Sequence, residues 1–272
     1  MTDAAEPFDR TARRRQRDRA APHFADHAFL KDAMADEIAA RVADVDRGFA
    51  RILDLGCHDG RLGRRLGATT FADAGEAFAR MASGVVCDED RLPFAEGSFD
   101  LIVSAGSLHG VNDLPGALVQ IRRALAPGGL FLAAFVAGES LHEVRRALLE
   151  SESELRGGAS PRILPMVDVV EAPALLQRAG FAMPVADVDT VCVRYADLFA
   201  VTAELRRAGE ANMLTSRRAM RRDVLMDAAG RFQAMADADG RVPVRVQILY
   251  MSGWAPIGGA GDLADSLKQR LQ

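Results

Sequence analysis

The length, composition and charge of the chain limit the class of protein it can be. Its 272 residues fit one enlarged domain, or one domain with an insert, because single cores stop growing near roughly 250 to 300 residues. A hydrophobic content of 49% and a charged content of 26% are ordinary for a globular protein, and a net charge of -4 argues against nucleic acid as the main partner. Cys57, Cys87 and Cys192 are too far apart to suggest a zinc site, so we expect no metal.

Targeting signals are absent from the pattern of the sequence. No apolar run approaches the ~18 residues that span a bilayer, and the first residues lack the apolar stretch of a secretion signal. We therefore expect a cytoplasmic protein with no transmembrane segment. Among 34 basic residues only Lys31 and Lys268 are lysines, a bias that indicates a GC-rich and therefore bacterial genome.

Residues 8–47 predict helical structure, because apolar side chains recur at spacings of three and four between Phe29 and Val45. The preceding stretch, residues 10–19, is rich in arginine. Transit peptides share that bias but contain few acids, whereas Asp9 and Asp18 interrupt this one. The sequence therefore predicts a solvated helix face here.

From residue 51 onward short apolar strands alternate with helices. The predicted strands are 51–55, 69–72, 85–86, 99–104, 130–136, 185–195 and 244–251. The predicted helices are 61–66, 76–83, 114–125, 141–155, 172–179, 196–208 and 217–237. This alternation is typical of parallel pairing with right-handed crossovers. We expect an α/β, Rossmann-like fold: a mostly parallel seven-stranded sheet with helices on both faces and a helical insert between the last two strands.

Four segments follow from this pattern. We divide the chain into an N-terminal helical cap (1–48), a cofactor-binding core (49–137), the rest of the sheet with a helical insert on the substrate side (138–256) and a tail (257–272). The arginine-rich stretch 217–222 is expected to be a helix face, with a patch for an acidic partner as the alternative.

A glycine loop and acids at successive strand ends point to a ligand. The segment Asp54-Leu55-Gly56-Cys57-His58-Asp59-Gly60 follows the first strand and opens a helix, where glycines let the backbone approach a ligand and free amides favour an anionic group. Asp73 and Asp88 end the next two strands, so these acids meet at the carboxyl edge of the sheet. An acid at Asp73 can accept both hydroxyls of a ribose. The loop lacks the GxGxxG spacing of dinucleotide-binding dehydrogenases.

These residues resemble class I S-adenosylmethionine-dependent methyltransferases. DLGCHDG is similar to their DLGCGTG loop, and CDEDRLPFAEGSFDLIVS is similar to the segment after their third strand. The resemblance implies S-adenosyl-L-methionine as cofactor, with the acid matching Asp73 on the ribose, the acid matching Asp88 on the adenine and a backbone amide of Glu89 on the ring. The expected cofactor residues are Asp54, Gly56, Cys57, His58, Gly60, Asp73, Asp88, Glu89 and Ser104.

Two residues of the loop depart from the family's pattern: His58, and Asp59, which stands where the family often has threonine. His58 stands where the family usually has glycine, and we expect it to face solvent, with a polar contact to the ligand as the alternative. Cys57 is expected to be a small buried packing residue and not a nucleophile.

Longer blocks carry a closer resemblance over roughly residues 8 to 256. RRRQRDRAAPHFADHAFL, SLHGVNDLPGALVQIRRALAPGGLFLAAFVAGESLHEVR, GGASPRILP, LLQRAGFAMPVADVDTVCVRYADLFAVTAELRRAGEANML and GWAP resemble the family of mitochondrial complex I assembly factor 5 and its bacterial homologues. That family is itself similar to malonyl-carrier-protein methyltransferases. Its best-known member hydroxylates an arginine of a complex I subunit. Gly110 stands where the family often has tryptophan, which predicts open volume beside the cofactor.

Candidate acceptor-side residues follow the fourth and fifth strands. His109 lies just after the fourth strand, where it serves either as a general base or substrate hydrogen-bond partner, or as a packing residue against the adenosine. Weaker candidates for substrate binding are His142, Arg145, Arg162 and Tyr195. A metal pocket built from Glu139, His142, Glu143 and Arg145 is less favoured than a solvated helix, and Trp254 is expected to be a packing residue.

Three functions remain open from the sequence. The leading hypothesis is methyl transfer from S-adenosyl-L-methionine to a protein or small-molecule acceptor. The first alternative, from the resemblance, is arginine hydroxylation or assembly of respiratory complex I, with a subunit of that complex as partner. The second is an assembly chaperone that binds the cofactor without catalysis.

Overall fold

The computed structural model describes residues 6–258, so most of the predicted tail lies outside the described residues. A seven-stranded sheet organises them, with strand order β3-β2-β1-β4-β5-β7-β6. The strands are β1 (Ile52–Leu55), β2 (Thr70–Asp73), β3 (Val85–Val86), β4 (Phe99–Ala105), β5 (Leu125–Ala137), β6 (Ala182–Tyr195) and β7 (Val242–Trp254). The first five strands pair in parallel, and β7 lies antiparallel between β5 and β6. The predicted mostly parallel α/β fold is confirmed.

Helices cover both faces of this sheet. They are α1 (Arg10–Ala20), α2 (Phe29–Ala43), α3 (Arg61–Leu66), α4 (Glu76–Met81), α5 (Leu114–Ala124), α6 (His142–Arg156), α7 (Ala172–Arg178), α8 (Leu198–Arg207) and α9 (Arg222–Gln233). Side chains of a strand point alternately to the two faces, so β4 feeds two cores. Ile102 joins the core under α5 and α7, whereas Leu101 and Val103 join the core under α2.

The N-terminal helical region is interrupted. A 3₁₀ helix, Ala21–His27, with Pro22 near its start, separates α1 from α2. Proline removes a backbone donor and so disfavours a continuous α-helix at this point. The predicted helix over 8–47 is therefore two α-helices joined by a tighter turn.

The arginine-rich stretch 217–222 is a second difference from prediction. Only Arg222 is helical, because α9 begins there, and residues 217–221 are irregular. The segment before them pairs with the N-terminus: Phe8 and Leu214 form an antiparallel bridge, and the Asp9 amide donates to the Met213 carbonyl at 2.8 Å. These long-range backbone bonds fix the segment outside the helix, so the predicted helix face is wrong.

A third apolar cluster holds the helices that follow β5. It joins α6, α8 and α9 to the start of β7 through buried side chains, which include Val144, Leu148, Leu198, Val201, Phe232 and Val244. In chain order α8 and α9 lie between β6 and β7. Among the described helices, none combines the length and the apolar character that crossing a membrane requires.

Replacement of Phe131, which packs against Phe181, tests how much the core beneath the sheet stabilises the fold. Phe131 is fully buried and stacks on Phe181 with ring centroids 5.5 Å apart. Phe131→Ala should lower the free energy of unfolding by about 3–5 kcal/mol, because it leaves a cavity that the strands cannot close. Val185→Ala, at a half-exposed position of β6, should change it by less than about 0.5 kcal/mol. Urea unfolding measures both, and equal effects would contradict the packing described.

Candidate functional site

The loop after β1 depends on tight backbone geometry. Gly56 has φ +69°, and a Cβ there would overlap the Ser107 hydroxyl, so only glycine fits. Ser107 in turn lies 3.1 Å from Ser104, the buried residue of β4 predicted at this site. Gly60, with φ +76°, immediately precedes α3. The loop is thus closed against the end of β4.

Asp54 lies beneath this loop. Its Oδ2 accepts a hydrogen bond from the Gly63 amide at 2.8 Å, which ties β1 to α3. The side chain is buried, and burial raises the pKa of Asp54 to about 7. The carboxyl therefore changes its protonation state near neutral pH, at the base of the site.

Asp73, at the end of β2, accepts four hydrogen bonds. Arg17 donates two of them, from Nε at 2.9 Å and Nη2 at 2.5 Å. The amides of His58 and Gly75 donate the others at 2.9 and 2.7 Å. A carboxylate offers about four lone-pair positions, so this one is saturated by groups of the chain itself.

The acids after β3 are paired in the same way. Glu89 is fully buried and receives both Nη atoms of Arg13, at 2.6 and 2.7 Å. Burial opposes ionisation of Glu89, but the Arg13 guanidinium outweighs it and lowers the pKa of Glu89 to about 2. Asp88 accepts from Arg14 at 2.7 Å.

One face of α1 supplies all of these guanidinium groups. We call Arg10, Arg13, Arg14 and Arg17 the arginine ladder; Arg10 binds Asp90 at 2.6 and 2.8 Å. Spacings of three and four residues place side chains on one side of a helix. Arg13 and Arg17 are buried, so the predicted solvated face is wrong. That arginine spacing, read beside the acids after β2 and β3, is the signal in the sequence that would have identified the pairing.

His58 does not face solvent. Its side chain is buried, its ring stacks on Phe24 with centroids 4.9 Å apart, and its Nε2 lies 2.9 Å from the Lys31 ammonium. Burial, followed by the charge of Lys31, holds the pKa of His58 well below its usual value, so the neutral ring accepts the hydrogen bond. The predicted solvent-facing position is wrong because α1 and α2 close over the loop. The predicted burial of Cys57 is confirmed, and burial raises the pKa of its thiol, which keeps it protonated.

Lys31 connects the loop to His109 through Glu210. The Lys31 ammonium lies 2.5 Å from Glu210 Oε1, and His109 Nε2 lies 2.7 Å from Glu210 Oε2. Burial would raise the pKa of Glu210, but Lys31 and His109 hold it well below its usual range. His109 Nε2 therefore donates to a carboxylate, which fixes its tautomer. Sequence reasoning missed Glu210 and Lys31, although Lys31, one of only two lysines among 34 basic residues, was a visible signal.

His109 and Glu210 line a cavity of about 410 Å³ between the sheet end and α8. Most of its wall is apolar, with Val136, Leu141, Val144, Leu148, Leu198 and Leu205 among the lining residues. Arg162 also lines it and is paired with Glu152 at 2.5 Å. The volume falls in the range of about 300–1,000 Å³ typical of small-ligand sites.

The other predicted substrate residues lie elsewhere. Arg145 lines an adjoining cavity that also includes Arg162. Tyr195 packs against the cluster of α6, α8 and α9, where burial raises its pKa to about 12. His142 is exposed, 3.4 Å from Glu139. Trp254 packs beside Arg47, whose guanidinium carbon is 5.8 Å from a ring centroid.

The position of Gly110 corrects another expectation. A Cβ there would lie 2.7 Å from the Met213 methyl group and 3.1 Å from Arg13 Nε. These two side chains already fill the volume that a missing tryptophan was predicted to leave open. The space is closed because the segment after α8 and helix α1 both pack onto this turn.

The residue types fit an adenosyl cofactor, but their side chains are already paired with other groups of the chain. The glycine loop and the acids at Asp73, Asp88 and Glu89 are the groups that the resemblance assigns to S-adenosyl-L-methionine. The small cavity beside the loop, about 20 Å³, is lined by Phe24, Lys31 and His58 among others and includes none of these three acids. The carboxylates are engaged by the arginine ladder instead.

Replacement of Asp54 tests the titration at the base of the loop. The pKa of Asp54 in the folded state, about 7, exceeds its ordinary value of 3.8. The Asp54 carboxyl therefore contributes stability that is fully present below about pH 4 and is lost as the pH rises to 7. Asp54→Asn keeps the acceptor for Gly63 but cannot titrate. Relative to wild type, it should gain about 2.5 kcal/mol of unfolding free energy between pH 5 and pH 8, because about two pH units of that window lie below the folded-state pKa.

Urea unfolding at the two pH values measures this difference. Asp59→Asn, in the same loop and paired with Arg61 at 2.6 Å, is the matched control and should show no such gain. If the stability difference between Asp54→Asn and wild type stays constant from pH 5 to pH 8, the raised pKa described for Asp54 is wrong.

Comparisons with known proteins support the resemblance drawn from the sequence. A methyltransferase domain model matches residues 53–133. The human protein named mitochondrial arginine-hydroxylase NDUFAF5 is 40% identical over 91% of this chain and 76% of its own length. The zebrafish (Danio rerio) protein of the same name is 38% identical over 92% of this chain and 83% of its own length. A malonyl-[acyl-carrier protein] O-methyltransferase of Halorhodospira halophila is 29% identical over 96% of this chain and 92% of its own length.

Solved structures share the fold. The YcgJ protein of Bacillus subtilis superposes with a TM-score of 0.56 at 14% identity, over 82% of this chain and 99% of its own. An S-adenosylmethionine-dependent methyltransferase of Thermotoga maritima gives 0.52 at 16% identity, over 89% and 99%. Such low identities establish the fold alone.

Sequence and fold together decide the family. The relatives match nearly the whole chain, well beyond the cofactor loop, which confirms the resemblance noted in the sequence and S-adenosyl-L-methionine as the cofactor. The bacterial source and the cytoplasmic location stay predictions, since the relatives just named as hydroxylases are mitochondrial. The chain belongs to the class I S-adenosylmethionine-dependent methyltransferase fold family, in the branch that contains the NDUFAF5 arginine-hydroxylases.

Proposed function

We propose that the chain is an enzyme that hydroxylates an arginine side chain of a protein partner. In such a reaction dioxygen supplies the oxygen atom inserted into a C–H bond, an external reductant supplies two electrons, and the second oxygen atom leaves as water. Relatives named for that activity share 38–40% identity over nine tenths of the chain. The resemblance to complex I assembly factor 5 names a subunit of the respiratory NADH:quinone oxidoreductase as the partner. The observation that carries the proposal is the chemistry of the 410 Å³ cavity.

An arginine side chain has two parts that this cavity matches. Its methylenes need apolar surface, which the walls supply, and its guanidinium needs a carboxylate acceptor. Among the lining residues of the cavity, Glu210 supplies the carboxylate. Lys31 and His109 each use one of its oxygens, which leaves lone pairs for a third donor.

His109 is proposed as the residue that faces the acceptor. It lies on the 3₁₀ turn after β4, at the end of the sheet where the cofactor loop also lies, and it lines the cavity. Glu210 orients its ring through Nε2. The roles of Arg162, Arg145, His142 and Tyr195 in acceptor binding stay predictions, with Arg162 the best placed because it reaches the cavity wall.

Methyl transfer is the second candidate reaction. It is favoured by the methyltransferase domain model over residues 53–133 and needs mainly proximity and alignment of donor and acceptor. A cofactor-binding assembly chaperone without catalysis is the third. The three differ in what happens to the mass of the partner.

Mass spectrometry of complex I subunits separates these functions. A strain lacking the gene is complemented with wild type or with Asp73→Asn, which weakens the proposed ribose acceptor. We expect a subunit arginine that gains one oxygen atom with wild type and stays unmodified with Asp73→Asn. A gain of one methylene would establish methyl transfer instead. An unmodified proteome, with complex I assembled in both strains, would leave only the chaperone.

Glu210 tests the acceptor cavity. Glu210→Gln removes the carboxylate charge that we propose binds the guanidinium of the substrate arginine. It should lower modification of the partner at least tenfold, since a charged hydrogen bond contributes about 1.5–3 kcal/mol. Glu139→Gln, at a highly exposed position outside the cavity, is the control and should leave modification unchanged. Quantitative mass spectrometry of the same subunit gives both values. Equal modification by the two variants would exclude Glu210 from acceptor binding.

A further inference from the structure

The carboxylates assigned to the cofactor already hold cations of the chain. Asp73, expected on the ribose, receives Arg17 through two hydrogen bonds and two backbone amides as well. Asp88, expected near the adenine, receives Arg14 at 2.7 Å. Because Asp73 has no acceptor position left, a ribose diol binds it only if Arg17 leaves.

These pairs lie deep in the site and not at its rim. Arg13 and Arg17 are 5% and 3% exposed, and their partners Glu89 and Asp73 are fully buried. Pairs removed from water in this way hold firmly, because separating them leaves an uncompensated buried charge. Asp88, the carboxylate expected near the adenine, is also buried, at 3% exposed, so an adenosyl group reaches these acids only where the guanidinium groups now lie.

Helix α1 is also attached to the acceptor side of the molecule. Its N-terminal end is held by the Asp9 amide on the Met213 carbonyl, and the Thr215 amide donates to the Pro7 carbonyl at 2.9 Å. Arg217 binds the Asp9 carboxylate at 2.9 Å. This segment begins only a few residues after Glu210, which lines the acceptor cavity. Helix α1 is therefore bonded to a segment that lies directly after the cavity-lining residues Glu210, Ala211 and Asn212.

We propose that α1 is an intramolecular competitor of the cofactor. In the closed state the arginine ladder occupies Asp73 and the acids after β3, and S-adenosyl-L-methionine binds only when α1 withdraws. Release of α1 frees four carboxylates for the adenosyl group and the cationic sulfonium. The proposal concerns cofactor access alone and does not depend on which group the enzyme transfers.

The closed state sets the apparent affinity. When only a fraction of molecules is open, the apparent dissociation constant equals the intrinsic one divided by that fraction. A ladder that favours closure by a hundredfold thus weakens cofactor binding a hundredfold. Removal of one arginine of the ladder shifts the equilibrium toward the open state and leaves every residue assigned to the cofactor in place.

Calorimetry with S-adenosylhomocysteine on the full chain tests this. Arg17→Ala and the half-exposed Arg14→Ala should each bind it roughly tenfold more tightly than wild type. Arg15→Ala is the matched control, since this exposed arginine of the same helix shows no carboxylate contact among the described residues. It should bind as wild type does. Weaker binding by Arg14→Ala or Arg17→Ala would show that the ladder is part of the cofactor site, and affinities equal to that of Arg15→Ala would show that closure has no effect.

Hydrogen exchange of the wild-type chain gives an answer even if Arg17→Ala fails to fold. Amides of residues 12–20 should exchange faster when S-adenosylhomocysteine is added, because α1 leaves its carboxylates. Slower or unchanged exchange would overturn the proposal. Neither measurement involves an acceptor, so an absent arginine modification would refute the proposed function and leave this result intact.

Discussion

Ion pairs between arginines of helix α1 and carboxylates at the ends of β2 and β3 determine how α1 packs over the edge of the sheet. Parallel strands deliver Asp73 and the acids after β3 to one edge of the sheet, where they would repel each other if left alone. Helix α1 neutralises them with four guanidinium groups on one face. Without these pairs, several buried charges would have no partner, so the position of α1 and the ionisation of the edge are decided together.

The same closure links the cofactor loop to the acceptor cavity. His58, Lys31, Glu210 and His109 form a hydrogen-bonded series that starts at the glycine loop and ends at the cavity wall. Its members come from four separate parts of the chain, and the side chains of Lys31, Glu210 and His109 are at most 17% exposed. A few side chains therefore connect the glycine loop directly to the cavity wall. This arrangement gives a physical route between the two halves of the site, independent of the reaction.

Much of the fold followed from short patterns. Apolar strands that alternate with helices predicted the parallel sheet, and the acids at strand ends predicted that Asp73 and Asp88 would lie at the same edge. The predictions that failed concern side-chain environment: His58 was expected in solvent, the arginines of α1 on an exposed face, and open space beside Gly110. In each case a segment distant in sequence covers the residue. Local periodicity contains no information about that covering segment.

The sequence by itself determined the fold class, the glycine turn and the family, because these depend on local spacing and on motifs with a fixed order. Only the tertiary structure decided which cations meet which carboxylates, that Glu210 joins His109 to Lys31, and that the adenosyl site is closed. The physical reason is that an ion pair depends on distance in space, and residues 56 to 179 positions apart acquire that distance only when the sheet and its helices have packed.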